Sequence, residues 1–214
     1  MTRFEQVRLT KRILLAASVA SAIALVGCGG KGGGKTSATT VAASASAAPA
    51  ATPPCDAEHR LTPEQTEGPY FKPNSPERAS LVEPGMAGTR LTIAGTVLST
   101  ACKPVVGALL DFWQADDKGD YDNAGQRLRG RQVTGADGRY KLETIVPGLY
   151  PGRTRHIHVK VRAPNHSELT TQLYFAGEPA NETDSIFNAA LVMDVQQEGG
   201  GKVAGFDFVL DLGR

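Results

Sequence analysis

The sequence predicts an all-β domain, a β-sandwich of two packed sheets behind an irregular arm. Three observations predict it. From residue 89 onward, short runs with alternating apolar side chains recur between turn residues. The chain of 214 residues holds 24 glycines and 13 prolines, enough to punctuate many short strands. Long stretches with apolar residues at helical spacing are scarce. About seven strands of this kind need a second layer to bury their inner faces.

Taken in order, Leu61-Thr62-Pro63-Glu64-Gln65-Thr66-Glu67-Gly68-Pro69-Tyr70-Phe71 reads as the arm. Thr62 is placed to cap a short helical turn with Pro63 at its first position. Gly68-Pro69 forces an extended or turning path, and Tyr70 and Phe71 offer an apolar anchor. Residues 90–99 form a strand, with Leu91, Ile93, Gly95 and Val97 alternating against polar or small neighbours. A turn at Lys103-Pro104 makes this the first hairpin. Residues 108–113 are apolar enough to be buried on both faces. Residues 116–120 form an acidic loop, followed by Tyr121. Residues 131–134 form a short strand, Asp137-Gly138 is a hairpin turn, and residues 139–145 return. Strands are expected at 156–161 and 169–175, and 206–212 closes the chain with strict alternation.

The first part of the chain reads as an address. Arg3, Arg8, Lys11 and Arg12 precede an apolar run from Ile13 to Val26 that has the length of a signal core and is short for a membrane span. The run ends Leu25-Val26-Gly27-Cys28, which resembles a bacterial lipobox. Residues 1–27 are therefore expected to be a lipoprotein signal peptide, with Cys28 lipidated. Gly29 is not an acidic retention signal, which directs the expectation to the outer membrane where a cell has two. Residues 28–54, rich in Gly, Ala, Ser and Thr, cannot bury a core and read as a flexible tether. Residues 55–214 form the domain. Cys55 and Cys102 are then the remaining cysteines, and an exported chain favours one disulfide between them. The net charge is +1, residues 1–35 sum to +5, and the remainder therefore carries −4, which argues against nucleic-acid binding.

Chemistry concentrates in residues 147–158. His156 and His158, two of only four histidines, share one strand face because side chains alternate with period 2. Paired imidazoles suit a metal. Tyr150 and Tyr121 are the plausible further ligands, and a trivalent iron would favour their phenolates. On residue types alone, satisfied core histidines fit as well as ligands do, and each tyrosine taken singly fits strand-end packing better.

The ordered motifs narrow the choice. They are the arm quoted above, Asp111-Phe112-Trp113, Gly119-Asp120-Tyr121, Arg129-Gly130, Gly138-Arg139-Tyr140, Thr144-Ile145-Val146-Pro147-Gly148-Leu149-Tyr150, Arg153-Thr154-Arg155-His156-Ile157-His158 and Gln172-Leu173-Tyr174-Phe175. Over residues 55–212 the chain resembles the intradiol ring-cleavage dioxygenases, in particular smaller secreted members related to protocatechuate dioxygenase. The resemblance implies a prealbumin-like sandwich and a non-haem Fe(III) held by Tyr121, Tyr150, His156 and His158. It implies cleavage of a catechol-type diol by O2 to a cis,cis-muconate-type diacid. Tyr150 would leave when the diol chelates the iron. Arg153 would stabilise charge gathering on the ring, and Gln172 would line the pocket.

Two departures stand out: a short interval between Tyr150 and His156, and no long helical N-terminal region of the kind that dimerises catechol dioxygenases. Both bear on substrate and oligomeric state, and neither touches a ligand. Segments 102–108 and 135–140 also suit non-catalytic prealbumin-like binding modules, but such a module has no use for this ordered set of Tyr, Tyr, Arg, His and His. A zinc hydrolase is disfavoured, since tyrosine is a rare zinc ligand and no His-Glu-x-x-His is present.

Overall fold

The computed structural model describes residues 61–213. Nine strands run in chain order: β1 (Arg90–Ser99), β2 (Leu109–Trp113), β3 (Arg129–Val133), β4 (Arg139–Ile145), β5 (His156–Arg162), β6 (Glu168–Tyr174), β7 (Asp194–Glu198), β8 (Gly201–Gly205) and β9 (Phe208–Leu210). One sheet has the order β4-β1-β8-β7, with β9 parallel to the end of β1, and the other has the order β3-β2-β5-β6. Among the described residues the only helical elements are two 3-10 turns, Pro179–Glu182 and Ala189–Leu191. The all-β sandwich is as expected.

Period-2 alternation sorts the side chains. Leu91, Ile93, Val97 and Leu142 of the first sheet meet Leu110, Phe112, Ile157, Val159 and Val161 of the second, all essentially without solvent contact. Full burial of each such side chain stabilises by roughly 1.5–3 kcal/mol. Their neighbours on β5, His156, His158 and Lys160, therefore point to the outer face of the second sheet.

Four expectations are corrected. The turn after β1 is not a hairpin between sheet neighbours: β1 and β2 lie in different sheets, and only Leu98 and Pro104 pair across the turn. Asp137-Gly138 likewise carries the chain from β3 in one sheet to β4 in the other. Alternation fixes which face is buried, not which sheet a strand joins. Thr62 caps no helical turn, since its hydroxyl accepts from the Val209 backbone N–H at 2.8 Å. The closing strand is confined to β9, because Thr96 N–H donates to Asp207 Oδ1 at 2.6 Å and takes Asp207 out of the regular ladder. The β7–β8 hairpin was not anticipated, since Asp194–Glu198 is almost wholly polar.

The arm is a belt. Thr62 pairs with Val209 of β9, Gln65 N–H donates to Thr170 O of β6 at 2.8 Å, Arg78 N–H donates to Arg131 O of β3 at 2.9 Å, and Leu81 N–H donates to Glu143 O of β4 at 2.8 Å. Four strand edges that would otherwise stand open are thus occupied. Cys102, at φ +59 in the turn after β1, is disulfide-bonded. Its expected partner Cys55, the lipidation site Cys28 and the whole of residues 1–54 lie outside the described residues.

The loops after β2 and β4 touch backbone to backbone. Gly148 N–H donates to Asp116 O at 2.6 Å, and a Cβ on Gly148 would lie 2.3 Å from Gly119 N. A Cβ on Gly119, whose φ is +95, would lie 2.2 Å from Leu149 O. Only glycine permits this approach. Gly148→Ala is expected to destabilise by about 1–3 kcal/mol, as overpacking does. Urea denaturation of the variant against the parent measures it.

Candidate active site

The site is a cross-strand row on the outer face of the second sheet. Pairing places Arg129 opposite Trp113, Trp113 opposite His158, and His158 opposite Gln172, with His156 opposite Tyr174 one step along. The arm covers this row. Phe71 packs edge-on against Trp113, with ring centroids 4.9 Å apart, and the Lys160 ammonium lies 4.3 Å from the centre of the Phe71 ring. Gln172 Nε2 donates to Thr66 O at 2.8 Å, and a Cβ on Gly68 would lie 3.5 Å from His158. His156 and His158 are buried in consequence.

The two loops held together by Gly119 and Gly148 bring the tyrosines in. Asp116 shapes the first loop, its carboxylate accepting from the Lys118 N–H at 2.9 Å, the Asp120 N–H at 3.1 Å and Arg127 Nη2 at 2.9 Å. Tyr121 then places its hydroxyl 3.2 Å from His156 Nε2. Tyr150 stands edge-on to Tyr121, with centroids 5.9 Å apart. The four expected metal-site residues thus converge.

The charge states suit a cation. His156 Nδ1 lies 2.6 Å from Thr154 O, so it carries the proton and leaves the Nε2 lone pair free. Burial depresses the His156 pKa from 6.5 to about 4. Burial also pushes His158 well down, with His156, Arg153 and Arg129 adding to the effect. Both imidazoles are neutral near pH 7, and their Nε2 atoms lie 3.1 Å apart. His158 stacks on Trp113 at 4.7 Å and 7°, and its Nδ1 has no hydrogen-bond partner. A proton on Nε2 would leave Nδ1 a bare buried acceptor. A proton on Nδ1 would point two lone pairs at each other. A cation between the Nε2 atoms removes that second conflict. Burial raises the Tyr121 phenol well above 10, so it is neutral until a cation displaces its proton. Among the described residues no three of His, Cys, Asp and Glu gather, so the donor set here is imidazole nitrogen and phenol oxygen. That set fits ferric iron.

Arg153 and Gln172 also meet: Arg153 Nη2 donates to Gln172 Oε1 at 2.7 Å and lies 3.4 Å from the Tyr174 hydroxyl. Sequence reasoning missed several neighbours. Tyr70, read as an apolar anchor, stacks on Tyr121 at 4.5 Å, and its hydroxyl lies 2.9 Å from that of Tyr150. Its place in Gly68-Pro69-Tyr70 was the available signal. Asp184 accepts from Arg153 Nε at 2.9 Å, and nothing in its loop marks it. Arg129 is 1% exposed, with two guanidinium nitrogens unpartnered.

A dioxygenase family model matches residues 66–212, from the arm through β9. The chain belongs to the intradiol ring-cleavage dioxygenase family. One relative of this intradiol chain is a chlorocatechol 1,2-dioxygenase of Pseudomonas sp. (strain P51), 30% identical over 175 residues, covering 69% of this chain and 70% of the relative. Another is the protocatechuate 3,4-dioxygenase beta chain of Burkholderia cepacia, 34% identical over 152 residues, covering 58% of this chain and 65% of the relative. Against other curated relatives the chain spans less, 62% of a 6-chlorohydroxyquinol 1,2-dioxygenase and 57% of a catechol 1,2-dioxygenase. Among solved structures, the dioxygenase domain of a dioxygenase carbohydrate-binding protein fusion from Streptomyces sp. SirexAA-E is 60% identical, with TM-score 0.71, covering 72% of this chain and all of that one. Hydroxyquinol 1,2-dioxygenase from Pseudomonas putida DLL-E4 is 26% identical, with TM-score 0.63, over 71% of this chain and 66% of that one.

The depressed histidine gives a pH dependence. Between its unfolded value of 6.5 and its folded value of about 4, the unfolded chain binds a proton at His156 that the native metal-free dioxygenase does not. Stability is therefore complete above pH 6.5 and falls with acidification through that window, on the order of a few kcal/mol. Thermal melts of metal-free protein from pH 7 to pH 4 are expected to show the decline, and His156→Gln to lessen it, with His158 supplying the remainder.

Proposed function

We propose that this chain cleaves catechol-type aromatic diols between their two hydroxyl-bearing carbons. Both atoms of O2 enter the product, a cis,cis-muconate-type diacid, and no external reductant is needed. Tyr121, Tyr150, His156 and His158 would hold a non-haem ferric ion. The observation that carries this reading is the convergence of two neutral imidazoles and two phenols beneath the arm, with Arg153 and Gln172 alongside. A bound ferric ion supplies a Lewis acid for the two diol oxygens and activates the ring toward O2.

The remaining work falls to the side chains. His156 and His158 donate fixed lone pairs, one oriented by Thr154 O and the other by its stack on Trp113. Tyr121 and Tyr150 are both half-buried loop residues, but the Tyr150 hydroxyl already meets that of Tyr70, so Tyr150 is assigned as the ligand that leaves. Freed from a metal, its phenolate oxygen would accept one diol proton while held by the Tyr70 hydroxyl 2.9 Å away, and the second diol proton would pass to solvent. Arg153 keeps its charge throughout and faces negative charge developing on the ring. The arm excludes water from the row beneath it.

Relatives named for catechol, chlorocatechol, hydroxyquinol and protocatechuate support a diol substrate without choosing among them. Only residues 151–155 separate Tyr150 from His156, and this short interval supports room for ring substituents. We also propose that Cys55 is the partner of Cys102, and that residues 28–54 tether the enzyme through lipidated Cys28 to the cell envelope.

Ferric-loaded protein is expected to be visibly coloured, from phenolate-to-iron charge transfer, and to consume O2 with catechol. Tyr150→Phe and His158→Ala should keep the fold by circular dichroism while losing colour or iron, with retention weakened by more than the roughly 10- to 100-fold that loss of a ligand's supporting partner costs. A preparation that stays colourless and takes up no iron in air sinks the reading. Separately, Cys28→Ala should move the protein from the membrane fraction to the soluble fraction. Unchanged fractionation argues against the anchor.

A further inference from the structure

Thr154 sits between the charge-bearing Arg153 and the metal-site His156, two positions earlier than the latter, and it is held on every side. Its carbonyl accepts from His156 Nδ1 at 2.6 Å, and its hydroxyl lies 2.5 Å from Asn181 Oδ1. Its backbone N–H donates to Asp184 Oδ2 at 2.9 Å. The same Oδ2 accepts from Arg153 Nε at 2.9 Å, while Oδ1 accepts from Ile186 N–H at 3.1 Å. One carboxylate thus carries three hydrogen bonds, and its side chain is 2% exposed. Asp184 comes from the segment after β6, 31 residues beyond Arg153. None of its bonds is to a metal-site side chain.

The guanidinium plane is fixed at two corners. Nε is bound to Asp184, and Nη2 is bound to Gln172 Oε1 at 2.7 Å. Two anchors on different nitrogens remove rotation about the terminal bonds of a side chain that otherwise samples many rotamers. Gln172 is itself held by Thr66 O of the arm at 2.8 Å. An arginine that serves by facing developing charge has to be in place before that charge appears, or reorganisation adds to the barrier.

We propose that Asp184 is the positioning residue for Arg153: it clamps the guanidinium against the ring-cleavage site and acts on the reaction through Arg153 rather than through the metal ligands. This rests on the function proposed above. It accounts for a carboxylate placed beside the one cation meant to face a negatively charged substrate. A carboxylate there costs some positive potential, and what it returns is orientation. A loop change that moves Asp184 would change catalysis without touching a ligand.

The test is a double-variant cycle on the iron-loaded full chain, with Asp184→Asn, Arg153→Gln and the pair together. Asparagine keeps the shape and one acceptor oxygen, whereas Asp184→Ala would leave a buried arginine unpaired and endanger the fold. Iron content and the charge-transfer band are measured first, then kcat and KM for catechol cleavage. Asp184→Asn is expected to retain iron and band while kcat falls about 10- to 100-fold, with a much smaller change in KM. In the Arg153→Gln background the same change is expected to add less than about threefold, because interacting residues are not additive. Asp184→Glu, which restores the charge, should recover part of the loss.

Full activity in Asp184→Asn overturns the proposal, as do independent, multiplying losses in the pair. Loss of iron from Asp184→Asn also overturns it, since the residue would then act through Thr154 and His156. A parent protein that binds iron but cleaves no catechol sinks the dioxygenase reading itself, and the role of Asp184 with it. A parent that cleaves catechol while Asp184→Asn is unaffected leaves that reading intact and removes only this one.

Discussion

Two packed sheets bury their inner faces and leave their outer faces to water. A row of imidazole, indole and amide on such an outer face would be well solvated, and its histidines would titrate in the ordinary range. The arm changes this. It is hydrogen-bonded to β9, then β6, then β3 and β4, and between these attachments it lies across the row. The same backbone bonds that occupy exposed strand edges thus press Gly68, Tyr70 and Phe71 onto His158, Tyr121 and Trp113. Burial of the histidines, their neutrality at pH 7 and the orphaned Nδ1 of His158 all follow from that cover.

The second requirement is that groups far apart in sequence share one small volume. Strand register handles His156, His158 and Gln172, since pairing fixes their spacing. The tyrosines come from loops, which are less constrained. Here the loops are locked by Gly119 against Gly148, an approach at which neither position tolerates a side chain. Asp116 binds both, closing its own loop and accepting Gly148 N–H through its carbonyl. Precision at Tyr121 and Tyr150 thus originates in backbone contact some residues away from either phenol.

Much of this was legible in the sequence, for identifiable reasons. β1 and β4 were placed to the residue, because both alternate cleanly between punctuating turns. His156 and His158 stood out because two like ligands at period 2 carry their geometry with them. Strand partners were less legible: alternation reports which face is inward, and the Asp137-Gly138 turn looks the same whether it joins neighbours or crosses between sheets. β7 gave no signal, since a polar edge strand has no buried face to mark it. Tyr70 and Asp184 were missed as site residues for a related reason. Their roles are contacts made across 80 and 31 residues, which no local pattern encodes. The ordered motif set located the centre, but not the residues that hold it from behind.

The belt also sets an order of events. Among the described residues the first attachment of the arm is Thr62 on Val209, a contact spanning 147 residues, and the next reaches β6. Contacts of such separation form late, because the loop they close carries a large entropy cost until the intervening strands are in place. A chain made from its N-terminus onward has its arm waiting until the last strand emerges. The arm therefore covers the histidines only on a finished sandwich. Partly folded chains would present imidazoles without a cover, so the buried, neutral pair is a property of the completed fold alone.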